Sequence, residues 1–337
     1  MAACFHFPHF LRFREPAQPP VAPRESNESQ GRPRIGLALS SGGAKGLAHI
    51  GVIQVLEENG IQVDVIAGTS MGAYVGGLSA SGLSGQELEA LAATMTSRGD
   101  LKKLVDPVIP PRRGFIGGRK VLARLRETLG EKTFAELAKP FYCVATELNG
   151  FGRAVLHEGE VATAILASLA IPGIVTPVCR DGIEYVDGGV CEPLPIGALL
   201  ERGNVDKIIA VNVLPKPHRA RHLKEEKKCH SFWRNPLNCL NQHFNLFAKG
   251  NLLDILRGSA MGSQMRLVER SATRADVLIN AVSDLPRWHD YNNYRAYIAI
   301  GRAAAKLALP ELLALSDPAR LSDSSPVNSN REITTRV

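Results

Sequence analysis

The residue best placed to do chemistry is Ser70, at the centre of Gly68-Thr69-Ser70-Met71-Gly72. An apolar run, Val63 to Ala67, leads into it, and an Ala/Gly-rich run of helical character, Ala73 to Ala80, leads away. A G-x-S-x-G between strand and helix is the pattern of a nucleophile elbow. Gly68 and Gly72 remove side chains that would clash in a sharp turn, and the serine hydroxyl is lifted to where a substrate can reach it. Small residues also recur in turns for backbone reasons alone, so the pattern needs company. It has company in Ser41-Gly42-Gly43-Ala44-Lys45-Gly46 upstream and in Asp187-Gly188-Gly189 downstream.

The upstream loop follows a short apolar run, Arg34 to Ser40, and opens a helical pattern, Leu47 to Glu58. Strand, glycine loop and helix aim backbone N–H groups and a helix dipole at one anionic spot. The spacing fails both the G-x-G-x-x-G dinucleotide fingerprint and the G-x-x-x-x-G-K-[ST] phosphate loop. An oxyanion hole asks only for close backbone approach to a developing alkoxide, which Gly42 and Gly43 permit. With a serine elbow following, that reading is preferred.

A serine hydroxyl needs a neighbour to take its proton as it attacks. His157, His218, His222, His230, His243 and His289 follow Ser70, but none sits in a motif, and a surface or structural role fits each better. Asp187 ends the apolar run Ile183 to Val186, at the kind of strand end where parallel sheets display catalytic groups. Asp-Gly also marks Asx-type turns, and the residues alone leave both readings open.

Around these residues, strand-like and helical runs alternate. A capping-box spacing, Ser84 to Glu87, predicts a helix to about Thr96. Residues 101–118 are irregular and Pro-rich, either a lid or a plain connector. Val121–Leu129 reads as helix, Phe141–Leu148 and Ala154–His157 as strands, Val161–Ala170 as helix, and Lys207–Val213 as a buried strand. Asn251–Arg270 reads as helix, Ala275–Asn280 as a late strand, and Tyr291–Leu309 as a final helix ended by Pro310. The alternation predicts one α/β domain, a mostly parallel central sheet flanked by helices. Its expected bounds are 34–310, with a disordered arm at 1–33, a disordered tail at 311–337 and a basic, aromatic insertion at 215–250.

The chain has 337 residues, enough to bury one large core or two small ones. No run of apolar residues is long enough for a membrane span, and the aromatic start, broken by Pro8, does not read as a signal peptide. Cys4, Cys143, Cys179, Cys191, Cys229 and Cys239 form no C-x-x-C pair, so reduced, buried thiols in a cytoplasmic protein are expected. The formal charge of +7 concentrates in Lys216–Lys228, where six Lys and Arg face only Glu225 and Glu226. Such a segment is a solvated loop, or a patch for anionic lipid or nucleic acid.

Taken in order, Ser41 to Gly46, Gly68 to Gly72 and Asp187 to Gly189 resemble the patatin-like phospholipases, and Ala167-Ser168 through Pro172 is similar to a further block of that family. The resemblance covers about 34–310 and implies a three-layer sandwich. It implies a catalytic dyad, Ser70 with Asp187 as base and no histidine, and an oxyanion loop at Gly42, Gly43 and Ala44. Lys45, Gly46, Gly68, Gly72, Gly188 and Gly189 complete its motifs. The N–H of Met71, just after the nucleophile, is a further donor by elbow geometry. The implied reaction is hydrolysis of acyl esters of phospholipids or lysophospholipids through an acyl-enzyme, without metal or other cofactor. Another carboxylesterase or thioesterase on the same scaffold, and a non-catalytic regulatory protein, are the alternatives. An anionic membrane surface, met through 216–249 on the inner face, is the expected partner besides substrate; nucleic acid is the weaker reading. One residue departs from the family pattern: Glu192 precedes Pro193 where Asn is common. If it lay beside Asp187, like-charge coupling would raise one of the two pKa values.

Overall fold

The computed structural model describes residues 32–94, 103–215, 252–283 and 290–316. The N-terminal arm to residue 31, the basic and aromatic segment 216–249, the tail from 317, and His218, His222, His230, His243 and His289 lie outside the described residues, as do Cys4, Cys229 and Cys239.

The sheet is built from β1 (Ile35–Leu39), β2 (Val65–Thr69), β3 (Phe141–Glu147), β4 (Arg153–Leu156), β5 (Val178–Arg180), β6 (Ile183–Asp187), β7 (Lys207–Asn212) and β8 (Val277–Asn280), in the order β5-β6-β3-β2-β1-β7-β8 with β4 also on β3. Neighbours from β3 through β2, β1 and β7 to β8 are parallel, whereas β4, β6 and β5 pair antiparallel. Every residue of β1 and β2 is buried, as expected of strands covered on both faces.

Side chains alternate between the faces. Ile35, Leu37 and Leu39 of β1, with Ile66, Ile209 and Val211, join one core; the smaller Ala38, Ala67 and Ala210 face the other. On the first face lie α1 (Ala48–Glu58), α2 (Met71–Ala80), α3 (Gly85–Ala93), α4 (Arg119–Leu129), α5 (Val161–Leu169), α8 (Tyr294–Leu307) and α9 (Leu309–Ser316). On the second lie α6 (Ile196–Arg202) and, through Val268, α7 (Leu252–Ala272). Helix, sheet, helix is the three-layer arrangement that the resemblance implies. The predicted capping box holds: Glu87 N–H donates to Ser84 Oγ, and Ser84 N–H to the Glu87 carboxylate.

Four expectations change. Asp187 ends a strand that runs antiparallel to β3, not a parallel one, and the hairpin partner β5 was not foreseen. Helical structure continues past Pro310, which occupies the first turn of α9, where its missing N–H costs nothing; Leu312 and Leu315 are buried there. At the other end, Arg32 already forks onto Asp64 at 2.6 and 2.9 Å. Of the cysteines, Cys143 is buried, but Cys179 is exposed and Cys191 half-buried. Within 103–118, Val108 and Phe115 pair through backbone, Phe115 and Ile116 both donate to Ile174 O, and the Asp106 carboxylate caps α4 at the N–H groups of Gly118 and Arg119. No helix among the described residues is long and apolar enough to cross a membrane.

Candidate active site

Two strand ends meet along one edge of β3. At Cys143 and Val144, β3 is flanked by β2 on one edge and β4 on the other. At Ala145 and Thr146 it is flanked by β4 and β6. A strand has only two edges, so β6 occupies the one that β2 leaves at Thr69. Ser70 is the next residue after β2, and Asp187, the last of β6, pairs with Ala145. Strands approaching from opposite directions therefore stop against each other, and their terminal side chains touch: Ser70 Oγ donates to Asp187 Oδ2 at 2.6 Å.

Ser70 has φ 55° and ψ −121°, a conformation an L-residue adopts only where the surroundings enforce it. They do so by close packing. A Cβ on Gly72 would collide with the carbonyl oxygens of Leu39 and Ser40, so the elbow rests directly on the end of β1. Gly68 faces Gly72 and Ala73, and Gly46 faces the Met71 side chain, which brings the upstream loop against the elbow. The Ser70 carbonyl accepts from Ala73 and Tyr74 as α2 begins. Its N–H donates to Ser168 Oγ at 2.7 Å, and Ser168 Oγ donates to Val144 O at 2.6 Å.

Asp187 is held from several sides. Its N–H donates to Ala170 O, its carbonyl accepts from Thr146 Oγ1 at 2.9 Å, and its Oδ1 accepts from the Gly189 N–H at 2.7 Å. Gly188 crosses Val144 O and Thr69 so closely that a Cβ would strike that carbonyl. The carboxyl is buried, and burial raises its pKa from the ordinary 3.8 to about 6, against the opposing hydrogen bonds from Ser70 and Gly189. A carboxylate of that pKa is a better base than an exposed one and still ionised at neutral pH.

The upstream loop is fixed at its stem. Ser40 N–H donates to Val211 O, Ser41 N–H to Pro193 O, and Ser40 O accepts from His49 Nε2 at 2.8 Å. Burial lowers the His49 pKa to about 4, so the ring is neutral and its proton sits on Nε2, facing that carbonyl. Beyond the stem, the N–H groups of Gly42, Gly43 and Ala44, and that of Met71, donate to no acceptor among the described residues. Lys45 is buried, with Nζ 3.4 Å from Ser283 O.

Glu192 does not stand against Asp187. Its carboxylate accepts from Gly197 N–H at 2.6 Å and from Arg153 at 3.1 Å, while its own carbonyl accepts from Thr69 Oγ1 at 2.8 Å. Its pKa is raised by burial, with Arg153 opposing. His157 bonds Val155 O at the end of β4. Among the described residues no three His, Cys, Asp or Glu are grouped to hold a metal ion. Two positioning residues, Thr146 and His49, escaped the sequence reading and carried no signal there; Ser168 was noted only within a family-like block, without the role that its hydroxyl has here.

Residues 37–200 match the family model of the patatin-like phospholipases. An uncharacterized NTE family protein of Mycobacterium tuberculosis is 41% identical over 181 residues, 54% of this chain and 49% of that protein. A lysophospholipase nte1 of Emericella nidulans is 33% identical over 181 residues, covering 53% of this chain and 12% of that protein. The chain thus spans half or less of the length of these relatives. Among solved structures, VipD from Legionella pneumophila aligns with 85% of this chain and 67% of its own at 15% identity, with a TM-score of 0.43. The elbow, the glycine loop and Asp-Gly-Gly all lie inside residues 37–200, the segment that matches the patatin-like phospholipase family.

Proposed function

We propose that this chain is a serine lipid acyl hydrolase working through the dyad of Ser70 and Asp187. The observation that carries the reading is the 2.6 Å bond from Ser70 Oγ to a buried carboxylate of raised pKa, beside N–H groups with no other acceptor among the described residues. Ser70 Oγ attacks the ester carbonyl carbon as its proton passes to Asp187. The oxyanion that forms takes hydrogen bonds from the N–H groups of Gly42, Gly43, Ala44 and Met71. The bond to the leaving alcohol then breaks, and that oxygen takes the proton from Asp187. Water attacks the acyl-enzyme, Asp187 takes its proton, the carbon–Oγ bond breaks, and the proton returns to Ser70.

Ester bonds of phospholipids or lysophospholipids are the proposed substrates. The family match supports this, as does likeness to relatives named lysophospholipase. The test is labelling by a fluorophosphonate probe, with fatty acid release from a lysophospholipid followed in parallel. Labelling and release in the parent, both lost in Ser70→Ala, are the expected outcome. A folded parent that neither labels nor releases fatty acid would sink the proposal.

A further inference from the structure

Five of the eight exposed large apolar side chains among the described residues, Val105, Ile109, Phe151, Ile183 and Val190, lie in segments tied to one another around Asp187; Ile255, Leu256 and Leu307 stand apart on α7 and α8. Loop 103–118 is bonded to 174–176 through Phe115, Ile116 and Thr176. Arg113 forks onto Glu184 at 2.6 and 2.8 Å, and the Glu184 carbonyl accepts from Leu148, at the root of the β3–β4 hairpin. Phe151 stands at the tip of that hairpin, its carbonyl 4.0 Å from Cys191 Sγ, and Val190 directly follows Gly189. Ile109 and Phe151 are the extremes, 88% and 83% exposed. Phe151 lies between two glycines at φ 53°, so the backbone is bent to hold an aromatic ring in solvent.

The same rim is positively charged. Residues 103–120 carry Lys103, Arg112, Arg113, Arg119 and Lys120 against Asp106, which caps α4 and lies 3.4 Å from Arg119; with the Glu184 that pairs with Arg113, that is five cations against two carboxylates. We propose that loop 103–118 and the tip of the β3–β4 hairpin form a face that docks on an anionic lipid surface and turns the Ser70 site toward it. The two most exposed tips, Ile109 and Phe151, stand on separate loops. A fluid surface accepts isolated tips, whereas a protein partner needs a contiguous matching one. Cations ringing apolar tips are the complement of anionic head groups over acyl chains. The proposal rests on the lipid hydrolase reading for its purpose but not for its test.

The test is sedimentation with phosphatidylcholine vesicles, with and without phosphatidylglycerol, for the parent and an Ile109→Ser, Phe151→Asn double variant. Asn tolerates the positive φ at 151. The expected result is vesicle affinity lower by about tenfold or more, with Tm and hydrolysis of a soluble short-chain ester unchanged. Arg112→Ala should weaken binding to the anionic vesicles and flatten its salt dependence. Segment 216–249 contributes equally to parent and variant, so their ratio reads the tips. Unchanged sedimentation of the double variant would overturn the proposal, as would a parent that binds no vesicles. So would loss of a parent dimer on gel filtration with vesicle binding intact, since the face would then pair copies of the chain. A parent that binds vesicles through these tips but cleaves no ester would remove the hydrolase reading and leave the docking face standing.

Discussion

The two strands that meet at the site are built differently. β2 lies inside the parallel region, buried along its whole length, and delivers Ser70 through a turn made rigid by backbone packed on backbone. β6 lies in the antiparallel end, is exposed at Ile183, and pairs with a partner of three residues, β5. Asp187 is held there by discrete hydrogen bonds to Ala170, Thr146 and Gly189. Fold geometry places Ser70, the proposed nucleophile; a handful of polar contacts places Asp187, its proposed base. The nucleophile side should therefore answer to substitution through stability, and the base side through activity and pH.

The largest expected effect is on the base. Asp187→Asn should lower kcat/KM by about 10³-fold or more, since general base catalysis is commonly worth that much. In the parent, kcat/KM should rise with pH through an apparent pKa near 6, the raised value of Asp187. Stability should move the opposite way. The protonated carboxyl is favoured by the fold, so this contribution is fully present below the ordinary 3.8 and is lost as pH rises through about 6. The loss is on the order of 3 kcal/mol, and Asp187→Asn should escape it. Thermal melts would then show the variant gaining on the parent between pH 3.8 and about 6, with a constant difference on either side. Parallel melts at every pH would break the assignment of the raised pKa to this residue.

Next come two glycines that face carbonyls. Gly72→Ala drives a Cβ into Leu39 O and Ser40 O in the sheet interior, and Gly188→Ala drives one into Val144 O at the antiparallel end. Each should cost about 3 kcal/mol or more if nothing moves. The interior cannot yield without displacing β1, whereas β6 can shift on its short partner. Gly72→Ala should thus lower Tm more, and Gly188→Ala should keep more of the fold while losing activity. Equal losses of Tm would erase the contrast between the two ends.

The same contrast governs what the sequence reveals. A strand covered on both faces must be apolar throughout, so Ile35–Leu39 and Lys207–Asn212 announce themselves, and an elbow needs glycines that stand out against them. Val178-Cys179-Arg180 carries no such mark. It is a strand because β6 offers it hydrogen bonds, and nothing within three residues says so. That Asp187 arrives antiparallel, head-on to Ser70, depends on which edge of β3 is vacant beyond Thr69, a property of the assembled sheet. Pro310 read as a stop because proline breaks helix interiors, but in a first turn it is compatible with helix, and only the buried Leu312 and Leu315 reveal which case applies. His49 was invisible for a similar reason: its partner, Ser40 O, is brought to it by the loop.

A smaller effect is expected at Ser168, whose hydroxyl joins the two sides. Ser168→Ala would leave both Ser70 N–H and Val144 O without their partner. An unsatisfied buried group costs about 1–3 kcal/mol. Part should appear as lower Tm and part as kcat reduced by about tenfold, as the elbow loses a backbone anchor. Unchanged kcat with lowered Tm would make Ser168 a core hydroxyl with no part in placing Ser70.

The smallest effect is expected at Glu192, and it bears most sharply on how the base is tuned. If the raised pKa of Asp187 came from a neighbouring carboxylate, neutralising that neighbour would lower it. Glu192 is the nearest buried acid in sequence, but its oxygens are engaged by Gly197 N–H and Arg153, and burial is what raises Asp187. Glu192→Gln keeps an acceptor for Gly197, and Arg153 retains Glu201 as an ion-pair partner. Tm should therefore change by no more than about 1 kcal/mol would produce, and the pH profile of kcat/KM should keep its midpoint. A midpoint moved downward would mean that the two carboxylates share their charge after all, and that the antiparallel end tunes its base through a second acid rather than by excluding water.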